Sequence, residues 1–565
     1  MKKISLFFTI IVMMSGCSDN LLNTTNYDAA SSEQFPNDAK TLELVAYNIY
    51  ANLNDYNLYG QSDYIIGSLF TAAHTVDFGF KAETNWEEFA YHRLTSKNGS
   101  LGQTWEGLYR VIGSCNVLLK AIDNIDITVL PDADVKRIQD FRGDGLFWRG
   151  WAHEQLVQQF GEGYPANGDG EKQGIIIHTE VASNSTLQYL KRSTVNEVYA
   201  QIFADYTAAE AILPASWTGQ DVARPTKHTV NAFIGQLLLF KGDKAAAAVA
   251  LKNVIDNSGK KLLPFADYAK LFNEDQIKFS DESLLELSLR NRPGSWGVWS
   301  GSEGSMWALK IAPFIGELQL DGAAKPIVEN GKYKLTKTQE TGWCNLFFHD
   351  RNISRFGDDP RLRVVAMEGV SGYDPVNSLT DADPSKLIYG NKVLLPYVGT
   401  FGYNNDKGEP IKGWTIRKYN PLEKDLYSWG VNTGINMHFM RMADVYLMYA
   451  EALIGTNDPT ACQYINKVRR RAYDKTDASV DISATGTELT NILFEERFKE
   501  FCAEGPQNWY DLCRFKKLDE VVKKWYTYIL LQPVGPITTD SKSLYFPIPI
   551  KEIESNSLCK QNTGY

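Results

Sequence analysis

Three stretches of the chain carry apolar residues at the spacing of paired helices. In the first pair, the apolar residues of 105–119 fall on one helix face, and residues 141–160 repeat the same steps of three and four. The second pair covers 231–240 and 244–255, and the third covers 440–453 and 459–473. Because such a helix buries its apolar stripe against another element, the pattern predicts a mainly α body of pairwise packed helices.

Local signals place these helices more closely. Thr194 is followed three residues later by Glu197, a capping box that predicts a helix start, and Pro214 predicts its end. Small residues recur where helices could cross, among them Ala450 and Ala461. Helix pairs of this kind resemble tetratricopeptide repeats. Their irregular spacing leaves an unrelated helical bundle as the alternative.

The composition changes between residues 262 and 429. Gly, Pro, Asn and Asp become frequent, and the apolar runs shorten to segments such as 283–288, 393–397 and 415–419. This composition predicts loops and short strands inserted into the helical body. Long loops on a rigid scaffold commonly carry binding residues, so we expect a ligand-binding face here.

The first residues have the features of an export signal. Two lysines precede a largely apolar run at 4–14, and a Ser-Gly pair stands directly before Cys17. The run is shorter than the roughly 20 residues that cross a bilayer. The arrangement resembles a bacterial lipoprotein signal, in which Cys17 becomes the lipidated N-terminus. The alternative is an ordinary secretory leader with a chance cysteine; on the first interpretation the protein is anchored to a membrane without spanning it.

Composition limits the partners and the chemistry. The formal net charge of −10 argues against nucleic acid, whose phosphates require a basic face. The scattered cysteines include no CxxC pair, which argues against a metal site or a disulfide framework. The sequence contains no nucleophile elbow, HExxH helix or phosphate loop. His153 lacks a second histidine at helical spacing, so we expect it in the core, and we predict no catalytic residues.

Several ordered motifs resemble those of SusD-like (RagB/SusD) proteins. Residues 438–452, HFMRMADVYLMYAEA, resemble a characteristic helix of that family. Further resemblances lie at 105–119, at the Asp-Pro-Arg turn of 359–361, and at 492–501 (ILFEERFKEF), 509–514 (WYDLCR) and 546–549 (FPIP). The family often has Asn-Pro near the last residues, where this chain has Asn-Ser at 556–557 and Asn-Thr at 562–563.

The resemblance implies a mainly α fold, an irregular tetratricopeptide-like helix-pair scaffold with a large inserted region of loops and short strands. It divides the chain into a signal peptide (1–16), an N-terminal helical part (17–261), the insertion with the ligand-binding face (262–429) and a C-terminal helical part (430–565). It also implies an outer-membrane lipoprotein, facing the cell exterior, that holds oligosaccharide over a SusC-like TonB-dependent transporter. Such proteins have no organic cofactor and no catalytic activity, and some members bind calcium.

The charged residues of these motifs could suggest an active site. At helical spacing, however, such residues more often form ion pairs that hold helices together, so we expect a scaffold role. They are Arg441, Asp444, Glu451, Glu495, Glu496, Arg497, Asp511 and Arg514. We likewise expect the segment 546–549 to dock the C-terminus.

Aromatic residues in loops indicate where a ligand binds, because sugar rings present flat C–H faces that stack on aromatic rings. Trp296 and Trp299 lie in a stretch whose Gly and Ser residues are too small to bury them locally. The resemblance implies that the early segment 77–86 contributes to the ligand face. The full set of predicted ligand contacts is Trp296, Trp299, Trp86, Asp77, Arg292, Trp307 and Trp343. For Trp307 and Trp343, packing inside the protein is an equal alternative.

Three functions stay open at this point. Capture of oligosaccharide for a transporter is favoured. The same role for peptide or another nutrient is the second, and aromatic loops suit both. A glycoside hydrolase on a helical scaffold is the third, and it requires a carboxylate pair in the aromatic cleft.

Overall fold

Helices form the body of the protein, and short strands are concentrated in the second half of the chain. The computed structural model describes residues 36, 38–60, 67–73, 77–78, 84–272, 277–290, 304–311, 314–323, 325, 327–329, 332–340, 346–348, 350–368, 388–389, 392–393, 414–419, 433–524, 528–529, 532–533, 537 and 539–565.

The α-helices of these residues are α1 (Ala39–Leu53), α2 (Ser68–Ala72), α3 (Thr84–Ala90), α4 (Gly99–Asp123), α5 (Asp132–Phe160), α6 (Ser185–Gln188), α7 (Val195–Ile212), α8 (Lys227–Lys241), α9 (Lys244–Asn257), α10 (Phe265–Tyr268), α11 (Trp307–Ile311), α12 (Asp350–Ser354), α13 (Leu362–Val365), α14 (Met442–Leu453), α15 (Asp458–Ala472), α16 (Gly486–Phe501), α17 (Gln507–Arg514), α18 (Leu518–Lys524) and α19 (Ile550–Ser555). The strands are β1 (Asp77–Phe78), β2 (Ser283–Leu287), β3 (Phe314–Leu318), β4 (Val328–Glu329), β5 (Lys332–Tyr333), β6 (Leu335–Glu340), β7 (Leu346–Phe348), β8 (Ala366–Glu368), β9 (Ile388–Tyr389), β10 (Lys392–Val393), β11 (Trp414–Ile416), β12 (Met437–Arg441), β13 (Tyr528–Ile529) and β14 (Gln532–Pro533).

Helix α5 is the centre of the N-terminal half, where it packs against α1, α4 and α7. Its buried polar groups bond across to α7: Arg149 and Asp205 approach to 2.6 Å, and the Tyr206 hydroxyl donates to Glu154 at 2.6 Å. His153 is fully buried, and burial lowers its pKa to about 3. The expectation of a core histidine is confirmed.

The predicted second helix pair is observed as α8 and α9. Helix α8 ends at Gly242, whose φ of 85° is the left-handed conformation that suits glycine at a helix end. The capping box predicted before this pair is also present, because Thr194 and Glu197 each bond the other's backbone N–H at the start of α7. These local signals were sufficient to place the helices.

The predicted third pair is observed as α14 and α15, with one correction. The sequence pattern starts the first helix at residue 440, but 437–441 form strand β12, antiparallel to β2. Helix α14 begins at Met442 because Asp444 accepts a hydrogen bond from the Arg441 backbone N–H at 3.0 Å and so caps the helix. The helical motif of 438–452 is therefore a strand followed by a helix.

Two further features of the body agree with the sequence. Cys115 and Cys462 are buried free thiols, as expected of small apolar residues. The C-terminal segment docks as expected, since the Phe546 backbone N–H donates to the Gln159 carbonyl and that of Ile550 donates to Ser96, both at 2.8 Å. Within the described ranges, no helix is both long and apolar enough to cross a membrane.

The contact between α14 and its neighbours α9 and α15 supplies a test of the helix packing. Ala450 on α14 is fully buried. We expect Ala450→Phe to overpack this contact and to lower the free energy of unfolding by about 1–3 kcal/mol. Ala245→Phe, at an exposed position of α9, is the matched control. Chemical denaturation measures both, and equal stability of the two variants would contradict the packing described here.

Candidate functional site

A small antiparallel sheet joins segments that the sequence places far apart. Its strand order is β1-β7-β11-β8. In the pairing of β1 with β7, Asp77 lies opposite Phe347 and Phe78 lies opposite Leu346. The early segment that carries Asp77 is therefore adjacent to the segment that follows Trp343.

The described residues on either side of the segment that carries Trp296 and Trp299 are held by hydrogen bonds. Before this segment, the Leu289 backbone N–H donates to the Asn436 side chain at 2.9 Å. After it, the Ser305 backbone N–H donates to the Thr433 carbonyl at 3.0 Å, and the Ser305 hydroxyl donates to the Tyr59 carbonyl at 2.8 Å. Both ends are thus held by residues 433–436, directly before β12.

Two of the predicted contact residues are interior. Trp86 and Trp307 are each only 1% exposed, so neither ring offers a face to a ligand in this structure. Trp86 packs on Gly67, where a Cβ atom would lie 2.9 Å from the indole. Trp307 makes an edge contact with Phe70, their ring centroids 6.0 Å apart. For Trp86 the expectation of a displayed ring is corrected to packing, and for Trp307 the packing alternative is the one observed.

The other predicted residues are placed only in part. Asp77 is in β1. Trp296, Trp299, Arg292 and Trp343 lie outside the described residues, as does Cys17. These assignments stay predictions.

The charged motif residues form a buried ion cluster at the base of the loop region. Arg441, at the end of β12, is fully buried and reaches three carboxylates. Its guanidinium lies 2.6 Å from Glu282, 3.1 Å from Glu500 and 2.5 Å from Glu504. One cation therefore connects β12 with the residue before β2, with α16 and with the turn that follows α16.

Two more arginines reach the same carboxylate. Arg361, from the Asp-Pro-Arg turn, lies 3.0 Å from Glu500 and 2.7 Å from Asp359. Arg471 on α15 pairs with Glu500 as well. The Lys418 ammonium, which follows β11, donates to the Glu500 carbonyl at 2.8 Å. Four segments of the chain are thereby tied to the end of α16.

The cations keep Glu500 and Glu504 charged although both side chains are buried. Burial on its own would raise the pKa of Glu504, but Arg441 and Lys418 lower it to about 2. The same balance, with Arg471 and Arg441 as the main cations, holds the pKa of Glu500 well below its usual value. Both carboxylates are therefore fixed partners of cations at neutral pH.

The charged motif residues form ion pairs that hold helices together, in agreement with the scaffold expectation. Arg497 bonds Asp511 at 2.7 Å, Arg514 pairs with Glu451, and Arg355 bonds Glu495 at 3.0 Å. The first two pairs join different helices, and the third joins α16 to the residue that follows α12. Arg514 also bonds Asp511 at 2.8 Å, three residues apart within α17. Glu282 and Lys418 were missed, because no local signal marks a charged residue whose partners lie far along the chain. Among the described residues, no group of side chains is arranged to hold a metal ion.

Comparison with known proteins identifies the family. The family described as "SusD family" matches residues 374–565, and the one described as "Starch-binding associating with outer membrane" matches residues 25–239. The SusD-like protein P2 of Formosa agariphila is 24% identical over 577 residues, which cover 100% of both chains. The chain belongs to the SusD-like family.

Solved structures of SusD-like proteins share the fold. A laminarin-binding SusD-like protein superimposes with a TM-score of 0.69 at 19% identity, covering 94% of this chain and 100% of its own. Surface glycan-binding protein A from Bacteroides fluxus superimposes with a TM-score of 0.67 at 17% identity, with coverage of 94% and 100%. The mainly α scaffold of tetratricopeptide-like helix pairs is confirmed. The SusD-like family binds carbohydrate and is associated with the outer membrane.

The ion cluster of this SusD-like protein supplies the second test. We expect Arg441→Met to lower the free energy of unfolding by about 3–5 kcal/mol, because it leaves buried carboxylates without their cation. Lys252→Met removes a surface cation that lies 2.6 Å from Asp256, and it should leave stability nearly unchanged. Denaturant titration compares the two. A small loss in Arg441→Met would mean that the cluster does not hold the scaffold together.

Proposed function

We propose that this SusD-like protein captures oligosaccharide at the cell surface and passes it to a SusC-like TonB-dependent transporter without cleaving it. Family membership supports the role. The observation that carries the proposal is the segment between Leu289 and Ser305, which contains Trp296 and Trp299 and is anchored at both ends. Fixed ends shorten the range of positions open to the segment between them, which lowers the entropy cost of placing its rings on a ligand.

The surroundings of that segment support a ligand face within the proposed insertion of residues 262–429. Trp343 is three residues before β7, and Asp77 is in β1, which pairs with β7. Trp307 closes the segment as a buried ring of α11. In the proposal, Trp296 and Trp299 stack on sugar rings, Arg292 and Asp77 bond hydroxyls, and the buried Trp86 and Trp307 hold the floor.

The leader supports a place on the outer membrane. Cys17 follows a Ser-Gly pair and a short apolar run, as a lipid acceptor does. We infer an acylated Cys17 that anchors the protein, with the helical body facing the cell exterior. More than one acyl chain gives stable attachment where a single chain is marginal.

The tryptophans provide the test of ligand capture. We expect Trp296→Ala and Trp299→Ala each to weaken oligosaccharide binding roughly thirtyfold, about 2 kcal/mol, because each removes a stacked ring. Calorimetry with a glycan identified on an array measures the affinity, and circular dichroism checks the fold. Trp217→Ala is the control, since that ring stacks on Arg224 in the helical body. If both variants fold and bind normally, the binding site lies elsewhere. If both unfold, the two rings have a structural role.

The anchor has its own test. Cys17→Ala should abolish labelling by a fatty-acid analogue, because the thiol is the acceptor of the lipid. Ser18→Ala should keep the label. Equal labelling of Cys17→Ala and the wild type would disprove the lipoprotein assignment.

A further inference from the structure

A second concave site lies on the helical body, away from the loop region. It is a groove with a volume of about 610 Å³. Its floor is the face of α4 that runs from Gly102 to Val117, one wall is the extended segment 176–182, and α19 contributes the other wall. None of its lining residues belongs to 262–429. The volume is within the range of about 300–1,000 Å³ that small-molecule sites occupy.

The floor of the groove is apolar and aromatic. Trp105 and Tyr109 lie one helical turn apart, with ring centroids 4.8 Å from each other. The Tyr109 hydroxyl donates to the Ile176 carbonyl at 2.8 Å, which holds the ring against the wall. Val117, 46% exposed, extends the apolar surface along the helix. Trp105 is only 6% exposed, so the apolar surface of the floor is supplied by Tyr109 and Val117.

The rim carries hydrogen-bonding groups from three separate elements. Glu106 and Arg110 on α4 lie 2.9 Å apart. Glu180 is on the extended wall, and Lys551 and Glu552 are on α19. Because both signs of charge surround the floor, an anion and a cation would each meet a like charge. The rim favours an uncharged occupant rich in hydroxyl groups.

The groove is preformed. The Asn116 side chain donates to the carbonyls of His178 and Glu180, each at 3.1 Å, and fixes the extended wall to α4. The Ile550 backbone N–H is bonded to Ser96, which fixes α19. Two floor positions, Gly102 and Gly113, have open space where a Cβ atom would point. A ligand can therefore reach the helix backbone without any rearrangement, which keeps the cost of binding low.

We propose that this groove is a second carbohydrate site, which takes a short, neutral oligosaccharide. The flat C–H faces of the sugar lie on Tyr109 and Val117, and its hydroxyls bond Glu106, Glu180 and Glu552. The ligand class rests on the proposed function, but the site shares no residue with the loop face. The two sites can therefore be tested independently.

The experiment disables the loop face first and then adds each groove or control substitution to that variant. Trp296→Ala with Trp299→Ala disables the loop face. Gly113→Trp fills the groove from the floor, where the open space and the helical position should tolerate a larger residue. Val249→Trp, at a position of α9 that is 72% exposed, is the matched control. Each protein is applied to a glycan array and titrated with laminarin and soluble starch, and circular dichroism checks the fold.

We expect the loop double variant to keep weaker glycan binding, which Gly113→Trp lowers by at least about tenfold and Val249→Trp leaves unchanged. Loss of all binding in the loop double variant would overturn the second site and leave the proposed function intact. Residual binding that Gly113→Trp does not reduce would also overturn it, including the case in which the groove receives a protein. Absence of glycan binding by the wild type would overturn both proposals.

Discussion

The scaffold depends on the carboxylate of Glu500. It is fully buried, and Arg361, Arg441 and Arg471 reach it from three separate parts of the chain. A buried charge without a partner is costly, so each of these segments stabilises the placement of the others. Glu282 and Glu504 share Arg441 with it, and the cluster thereby connects the later helices and strands.

The strands next to the loop region are connected to this cluster. Arg441 ends β12, and Glu282 immediately precedes β2, its antiparallel partner. Residues 433–436, which lead into β12, hold both ends of the segment between Leu289 and Ser305. A chain of short hydrogen bonds thus runs from buried charges to the base of the proposed ligand face. A binding loop on such a base can vary in sequence while the scaffold stays the same.

The sequence predicted those parts of the fold that depend on neighbours in the chain. The turn at Gly242 and the capping box at Thr194 are local, and both were placed correctly. Strand β12 was predicted as helix because its apolar residues also suit helical spacing. Its pairing partner, β2, lies about 150 residues earlier, as the 2.8 Å bond between Asn436 and Glu286 shows at a separation of 150. Pairings of that range leave no periodic trace in the sequence.

In the candidate sites, too, local features could be predicted from the sequence and long-range contacts could not. The composition of 291–307 indicates that local residues cannot bury a tryptophan, yet Trp307 is buried and makes an edge contact with Phe70, which lies far earlier in the chain. The small residues of this segment therefore show that its tryptophans need partners from elsewhere. They do not decide which ring is exposed to a ligand. The groove on the helical body could not be predicted from the sequence. Its floor at Tyr109, its wall at His178 and its rim at Glu552 meet only because Asn116 and the docked C-terminal segment bring them together. In the sequence of its own helix, Tyr109 is one more residue of an apolar stripe. That stripe becomes the floor of a groove only because the segment at His178 lies opposite it.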